Sequence, residues 1–279
     1  MFTILSFLAG TIGAVTVLQC GQLAAFYGDY SSSVITHLVG LVAAAIVFFT
    51  QRGKLPAKQR VAPWMLLGGV IGVGTVVLNN MAFGGVGVTA IIGLGLLGAA
   101  KSPFYKGKLL GLIAVLIGAL VMVFPLTGAN IAAVLMALAT GFTIVVARTM
   151  NARYAERCGV MRSTILNYIT GLTTSVIILL LLGRNEPMVA DFRLSPNWFM
   201  YTAGALGVGL TVLLNITVSK VPAFAFTLLQ FTGQIFTSLL LDALLQDSFS
   251  MQSAIGGALV ALGMCLNTWM DHQRKLKTA

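Results

Sequence analysis

The stretch from Leu228 to Asp242, LLQFTGQIFTSLLLD, sets amides and hydroxyls into an otherwise apolar run. On a helix turning about 100° per residue, Thr227, Gln230, Gln234, Thr237 and Ser238 share a stripe about 100° wide. Leu228, Leu229, Phe231 and Ile235 fall outside it. Glutamine offers donors and acceptors without charge, so the stripe could bind a neutral or weakly polar solute. It could also tie neighbouring helices together, by hydrogen bonds worth about 0.6 kcal/mol each in a membrane. Other polar residues interrupt apolar runs in the same way: Gln19, Gln22, His37, and Asn167 beside Tyr168. The expected substrate-contacting set is therefore Gln230, Gln234, Thr227, His37, Tyr168, Asn167, Gln19 and Gln22. His37 is the one side chain of this set that titrates near neutral pH. It could couple protons to transport or simply bond a backbone carbonyl. Asn80 and Asn215 lie nearer the ends of their runs, where interhelical hydrogen bonding and substrate contact are both open readings.

Other chemistries lack their residues. The carboxylates Asp29, Glu156, Glu186, Asp191, Asp242, Asp247 and Asp271 all fall at or near the ends of apolar runs. An exporter that exchanges protons for lipophilic cations would need a carboxylate at mid-membrane, at a cost of about 2.5–3.5 kcal/mol. Neutral or anionic solutes are favoured instead. There is no HExxH, no GxSxG and no pair of intramembrane aspartates, so no enzyme is expected. Cys20, Cys158 and Cys265 have neither metal-type spacing nor the even number of a disulfide framework. No metal or cofactor is expected. GVGTVVLNN, within an apolar run, has no P-loop lysine and is not a phosphate loop.

The elements that must position these residues are membrane helices. The chain is 58% hydrophobic and 9% charged over 279 residues, with a mean hydropathy of +0.95. Soluble domains carry about 25% charged residues. The net charge of +10 sits in short clusters between apolar runs. Those clusters lack the interleaved aromatics that stack on bases, so nucleic acid is not an expected partner. The start, MFTILSFLAG, has no basic n-region and reads as a retained span rather than a signal peptide.

Ten apolar runs fall near residues 3–26, 32–50, 63–83, 86–100, 108–126, 129–150, 162–183, 197–219, 222–242 and 253–270. With ten spans, one face of the membrane receives fifteen of the 17 lysines and arginines, and the other only Arg184 and Arg193. Lys and Arg are retained on the cytoplasmic side, so both termini should be cytoplasmic.

The chain also matches itself. At a shift of 131 residues, Gly10, Gly28 and Gly40 meet Gly141, Gly159 and Gly171, while Thr36 and His37 meet Asn167 and Tyr168. At 135, GVIGVGTVVLNN falls on GALGVGLTVLLN, and at 145 Gly111 and Gly118 meet Gly256 and Gly263. Two units follow, residues 1–127 and 128–279. Five spans is an odd number, so the second unit enters the membrane inverted, an arrangement typical of secondary transporters with a midplane substrate site. The expected fold is an all-α integral membrane protein of ten helices in two inverted-topology repeats. Gly69, Gly72, Gly204, Gly207, Gly111, Gly118, Gly256 and Gly263 should be helix-packing positions, since small residues let backbones approach.

The motifs ARTMNARYAERCG with Gly171 twelve residues on, GALGVGLTVLLN and FTGQIFTSLLLD resemble the drug/metabolite transporter superfamily, in its YdcZ-like branch. There a five-span unit occurs singly or fused in tandem. The resemblance covers nearly the whole chain. It implies a multi-pass transporter of small metabolite-like solutes in a bacterial inner membrane, working by alternating access as a monomer or homodimer. A flippase for a lipid-linked precursor is the alternative, and would show a lateral polar groove. The first half departs from the pattern after Gly98, where AAKSPFYKGK replaces the continuation seen in the second. Either the fourth helix is broken or residues are missing there, and the aligned flanks favour the latter.

This topology predicts that Lys58→Cys and Lys277→Cys are blocked only by thiol reagents that cross the membrane, while Arg193→Cys labels from outside. External labelling at position 277 would refute it.

Overall fold

The computed structural model describes residues 2–50, 60–98, 109–124, 128–218, 223–245 and 251–278. Among these it is helical and holds no β-strand. Ten helices carry the architecture: α1 (Phe2–Tyr27), α2 (Asp29–Thr50), α3 (Gly68–Phe83), α4 (Val88–Gly98), α5 (Leu109–Val123), α6 (Gly128–Cys158), α7 (Val160–Leu182), α8 (Ala203–Val218), α9 (Ala223–Leu245) and α10 (Met251–Thr278). Short 3-10 turns lead into α3 (Pro63–Leu67) and α8 (Trp198–Thr202). In hydrocarbon only a helix or a closed barrel satisfies every backbone group internally, and runs this apolar follow the first route. α1, α2, α6, α7 and the stretch Pro63–Phe83 are each long and apolar enough to cross a membrane. Leu38, Val42, Ile46 and Phe49 expose one apolar face of α2, and Ile169, Val176, Ile177 and Leu180 expose another on α7.

Boundaries depart most from the sequence reading at α6 and α10, the latter running to Thr278 rather than ending near residue 270. α6 runs to Cys158 rather than ending near residue 150, because Asn151–Cys158 is rich in Ala, Arg and Glu, which favour helix. Its break from α7 is a single residue. Gly159 has φ 87°, and Gly28 between α1 and α2 has φ 103°. Both adopt a left-handed conformation that glycine reaches without strain. Their N–H groups bond Ala155 O and Ala24 O at 2.8 Å. The described part of α4 has 11 residues, about 16 Å at 1.5 Å per residue. The expected irregularity after Gly98 lies outside the described residues.

Helix contacts come in corresponding sets. α1 lies along α9, and α6 along α4. α6 packs on α3, and α1 on α8; α3 packs on α7, and α8 on α2. α2–α7 and α5–α10 pack directly on each other. Glycines set the distances at these crossings. A Cβ on Gly69 would meet Asn167 O and Gly171 N, and one on Gly204 would meet Thr36 O and Gly40 N. Gly171 sits under the His37 ring and Gly40 under the Tyr168 ring. Gly111 meets Gly263, and Gly118 meets Gly256, through backbone carbonyls. Gly207 lies against the Tyr168 hydroxyl, and Gly72 is in looser contact with Asn167. Two apolar clusters correspond as well. Leu23, Tyr27 and Met200 pack together in one, and Tyr154, Cys158 and Met65 in the other.

These contacts predict a contrast within one helix. Gly204→Ala forces α8 away from the α2 backbone and should cost about 1–3 kcal/mol, the range for overpacking. A Cβ on Gly209 meets nothing within 4 Å, so Gly209→Ala should be neutral or raise stability by up to about 1 kcal/mol. Thermal unfolding of both variants in detergent checks this. Equal effects would remove the packing role of Gly204.

Candidate functional site

The described residues enclose a cavity of about 390 Å³ among α6, α7, α8 and α9. Helical spacing selects its walls. α6 contributes Arg148, Asn151, Ala152 and Ala155; α7 contributes Val160, Ser163, Thr164, Asn167 and Tyr168; α8 adds Leu210, Thr211 and Leu214, and α9 adds Gln230. The volume lies in the range of small-molecule pockets, roughly 300–1,000 Å³.

Hydrogen bonds fix the polar wall. Asn151 Nδ2 donates to Asn167 Oδ1 at 2.8 Å. Ser163 Oγ donates to the Asn151 carbonyl at 2.8 Å, joining α7 to α6. The Tyr168 hydroxyl donates to Gly204 O at 3.2 Å, and Thr164 Oγ1 to Val160 O at 3.0 Å. The Asn151 amide can sit close to α3 because Gly68 has no side chain. After these bonds, the Nδ2 donors of Asn167 and the Gln230 amide are unused among the described residues. Among the described residues the cavity is walled by one cation, Arg148, and by no carboxylate.

Of the side chains expected to touch substrate, the structure brings Gln230, Asn167 and Tyr168 to this cavity. Gln234, one turn on from Gln230, rests beside Gly13 of α1. The stripe on α9 therefore divides between two surroundings. Thr237 Oγ1 donates to Thr11 Oγ1 of α1 at 3.1 Å, and Ser238 Oγ to Ile235 O at 2.9 Å. The Thr227 side chain lies outside the described residues. His37 is buried between α2 and α7, with Nδ1 2.8 Å from Ser33 O and 3.3 Å from Ser175 Oγ. Gln19 donates to Phe199 O at 2.8 Å and Thr202 Oγ1 at 2.7 Å. Gln22 accepts from Asn197 Nδ2 at 3.4 Å. Asn80 donates to Asp29 O at 3.0 Å, which makes it a link between helices.

Arg148 and Asn151 were missed as site residues, because near the end of an apolar run an arginine reads as reaching for the interface. The available signal was their place in ARTMNARYAERCG, which leads from the end of the apolar run into the helix extension.

Away from the cavity, the far ends of α1, α2 and α8 are tied together. Glu186 accepts from Tyr30 N at 2.9 Å, Ser31 N at 2.8 Å and Ser31 Oγ at 2.6 Å. It thereby caps the open amides of the α2 N-terminus. The Tyr27 and Tyr201 hydroxyls bond each other, and Ser195 N donates to both.

Comparison with solved structures places the architecture among known folds. One, named only "Crystal structure of protein", superposes with a TM-score of 0.56 at 16% identity, covering 94% of this chain and 98% of that one. At that identity the likeness shows the fold alone. No curated protein matches the chain. A family model described as "Putative inner membrane exporter, YdcZ" matches residues 1–100 and 132–266, well over half of the sequence. The chain is a multi-pass membrane protein and belongs to the YdcZ family of the drug/metabolite transporter superfamily.

Proposed function

We propose that the chain is a secondary transporter of a small solute, built from ten spans in two inverted five-helix repeats, residues 1–127 and 128–279. The observation that carries this is an asymmetry between equivalent positions. Ser163 Oγ donates to the carbonyl of Asn151, and Ser32 Oγ donates to the carbonyl of Cys20 at 3.0 Å, the same bond 131 residues earlier. In the second half this bond borders the open cavity. In the first half Cys20 and Thr36 are buried, whereas their counterparts Asn151 and Asn167 are only partly so. One half is open and its counterpart is closed, which is what alternating access between inverted repeats requires. The corresponding helix contacts, the paired left-handed glycines and the two matching clusters support the same reading.

On the positive-inside orientation, the cavity faces the cytoplasm and the Glu186 and Tyr27–Tyr201 contacts close the outer end. Gln230, Asn167 and Tyr168 then hold a neutral or anionic solute. When the halves exchange shapes, the outer vestibule opens beside Cys20 and Thr36.

The test uses Cys20 as the remaining cysteine, in Cys158→Ala/Cys265→Ala protein in intact cells. Glu186→Ala removes charge-assisted bonds worth about 1.5 kcal/mol or more each. It should raise Cys20 labelling by an impermeant maleimide about tenfold. Labelling of Asn151→Cys from the cytoplasmic side should fall in parallel. If Cys20 stays unreactive while Asn151→Cys is unchanged, no exchange occurs and alternating access between these halves is wrong.

Transport itself separates the two glutamines. Proteoliposomes loaded with a cell metabolite extract and profiled by mass spectrometry should lose some solute through the wild type. Gln230→Leu should abolish that loss at normal melting temperature, while Gln234→Leu should reduce it less than about tenfold, equivalent to under ~1.4 kcal/mol. Equal abolition would return Gln234 to the site.

A further inference from the structure

We infer that the solute carried in this cavity is an organic monoanion whose carboxylate docks on Arg148. The inference rests on the transporter reading and narrows it to one substrate class.

Arg148 lines the cavity on one side and a shallow cleft on the other, where Arg153 and Glu156 also lie. Glu156 is already paired, with Arg153 Nη1 3.4 Å away. Among the described residues no hydrogen bond or ion pair engages Arg148, and no carboxylate lines the cavity. A guanidinium keeps its charge at any physiological pH and presents a planar fork of donors that matches a carboxylate. Held at the edge of an apolar span without a counterion, it is an unfavourable residue that a bound anion makes favourable. One cation without a competing acid fits a single negative charge. A dianion would bring one charge more than the wall neutralises.

The rest of the wall describes the rest of the ligand. The Nδ2 donors of Asn167 and the amide of Gln230 can meet a hydroxyl, carbonyl or amide on the solute. Leu210, Leu214 and Val160 accept an apolar portion. At about 390 Å³ the space suits a metabolite-sized acid rather than a lipid.

The experiment is thermal unfolding of the full chain in phosphatidylcholine nanodiscs. The probes are small organic monocarboxylates, each paired with its primary amide, with inorganic phosphate as a separate arm. At least one carboxylate should raise the melting temperature of the wild type while its amide does not, and added salt should weaken the effect. Arg148→Gln should melt at or above the wild-type temperature when unliganded and bind that carboxylate at least tenfold more weakly, and Arg148→Lys should lose less. If amides bind as well as acids and Arg148→Gln changes nothing, the inference is overturned while the cavity reading stands. If inorganic phosphate stabilises the wild type and carboxylates do not, the ligand class is wrong. If phosphatidylglycerol nanodiscs stabilise the wild type over Arg148→Gln without any carboxylate effect, Arg148 holds a lipid headgroup and the inference falls. If no probe of either charge binds the wild type, the cavity reading fails with it.

Discussion

Backbone-to-backbone contact across glycine is the constraint on which this structure depends. In lipid, apolar side chains gain nothing by leaving one apolar surface for another, so close packing must supply the attraction between helices. Gly69 against α7 and Gly204 against α2 bring helix axes near enough for that. The same approach leaves no room for a side chain, which is why rings are set at neighbouring positions: His37 covers Gly171, and Tyr168 covers Gly40. The wall of the cavity follows from this spacing. Tyr168 reaches Gly204 O only because α8 sits close to its neighbours, and its hydroxyl rests on Gly207.

The helical, multi-pass architecture was legible in the sequence because membrane helices announce themselves by length and hydropathy. Gly28 and Gly159, in register in the sequence, share a left-handed conformation, and Gly40 and Gly171, likewise in register, each lie beneath a ring. What failed to read was helix length where polarity begins. The segment after Met150 lost its apolar signal, yet its helix-forming residues carry α6 on to Cys158. Since Asn151, Ala152 and Ala155 lie in that extension, its loss hid one wall of the cavity. The polar stripe on α9 was read as one surface. A stripe about 100° wide touches more than one neighbour, and here Gln230 meets the cavity while Thr237 meets α1. Periodicity reports which residues share a helix face and is silent on which neighbour covers each turn.

The two ends of the molecule are held by different physics. At the cavity, α6 and α7 are joined by neutral bonds between Asn151, Asn167 and Ser163. At the opposite end a carboxylate serves two backbone amides and a hydroxyl. Charge-assisted bonds are roughly twice as strong as neutral ones, so the Glu186 end is the better fastened of the two.

Several helix ends of the first half are finished by side chains of the second. Glu186 caps α2, and Asp242 accepts from Val88 N at 3.1 Å and Thr89 N at 3.0 Å at the start of α4. Gln252 donates to Val121 O at 2.6 Å near the end of α5. These partners are translated many residues after the groups they satisfy. At synthesis rates of about 5–20 residues per second, the amides of α4 exist for roughly 8–30 seconds before Asp242 has been made. During that interval the nascent first half must be sheltered by the insertion machinery, other membrane components or water at the interface. A ribosome that stalls inside α9 would leave behind an unfinished half with its polar ends bare, a ready substrate for membrane proteases.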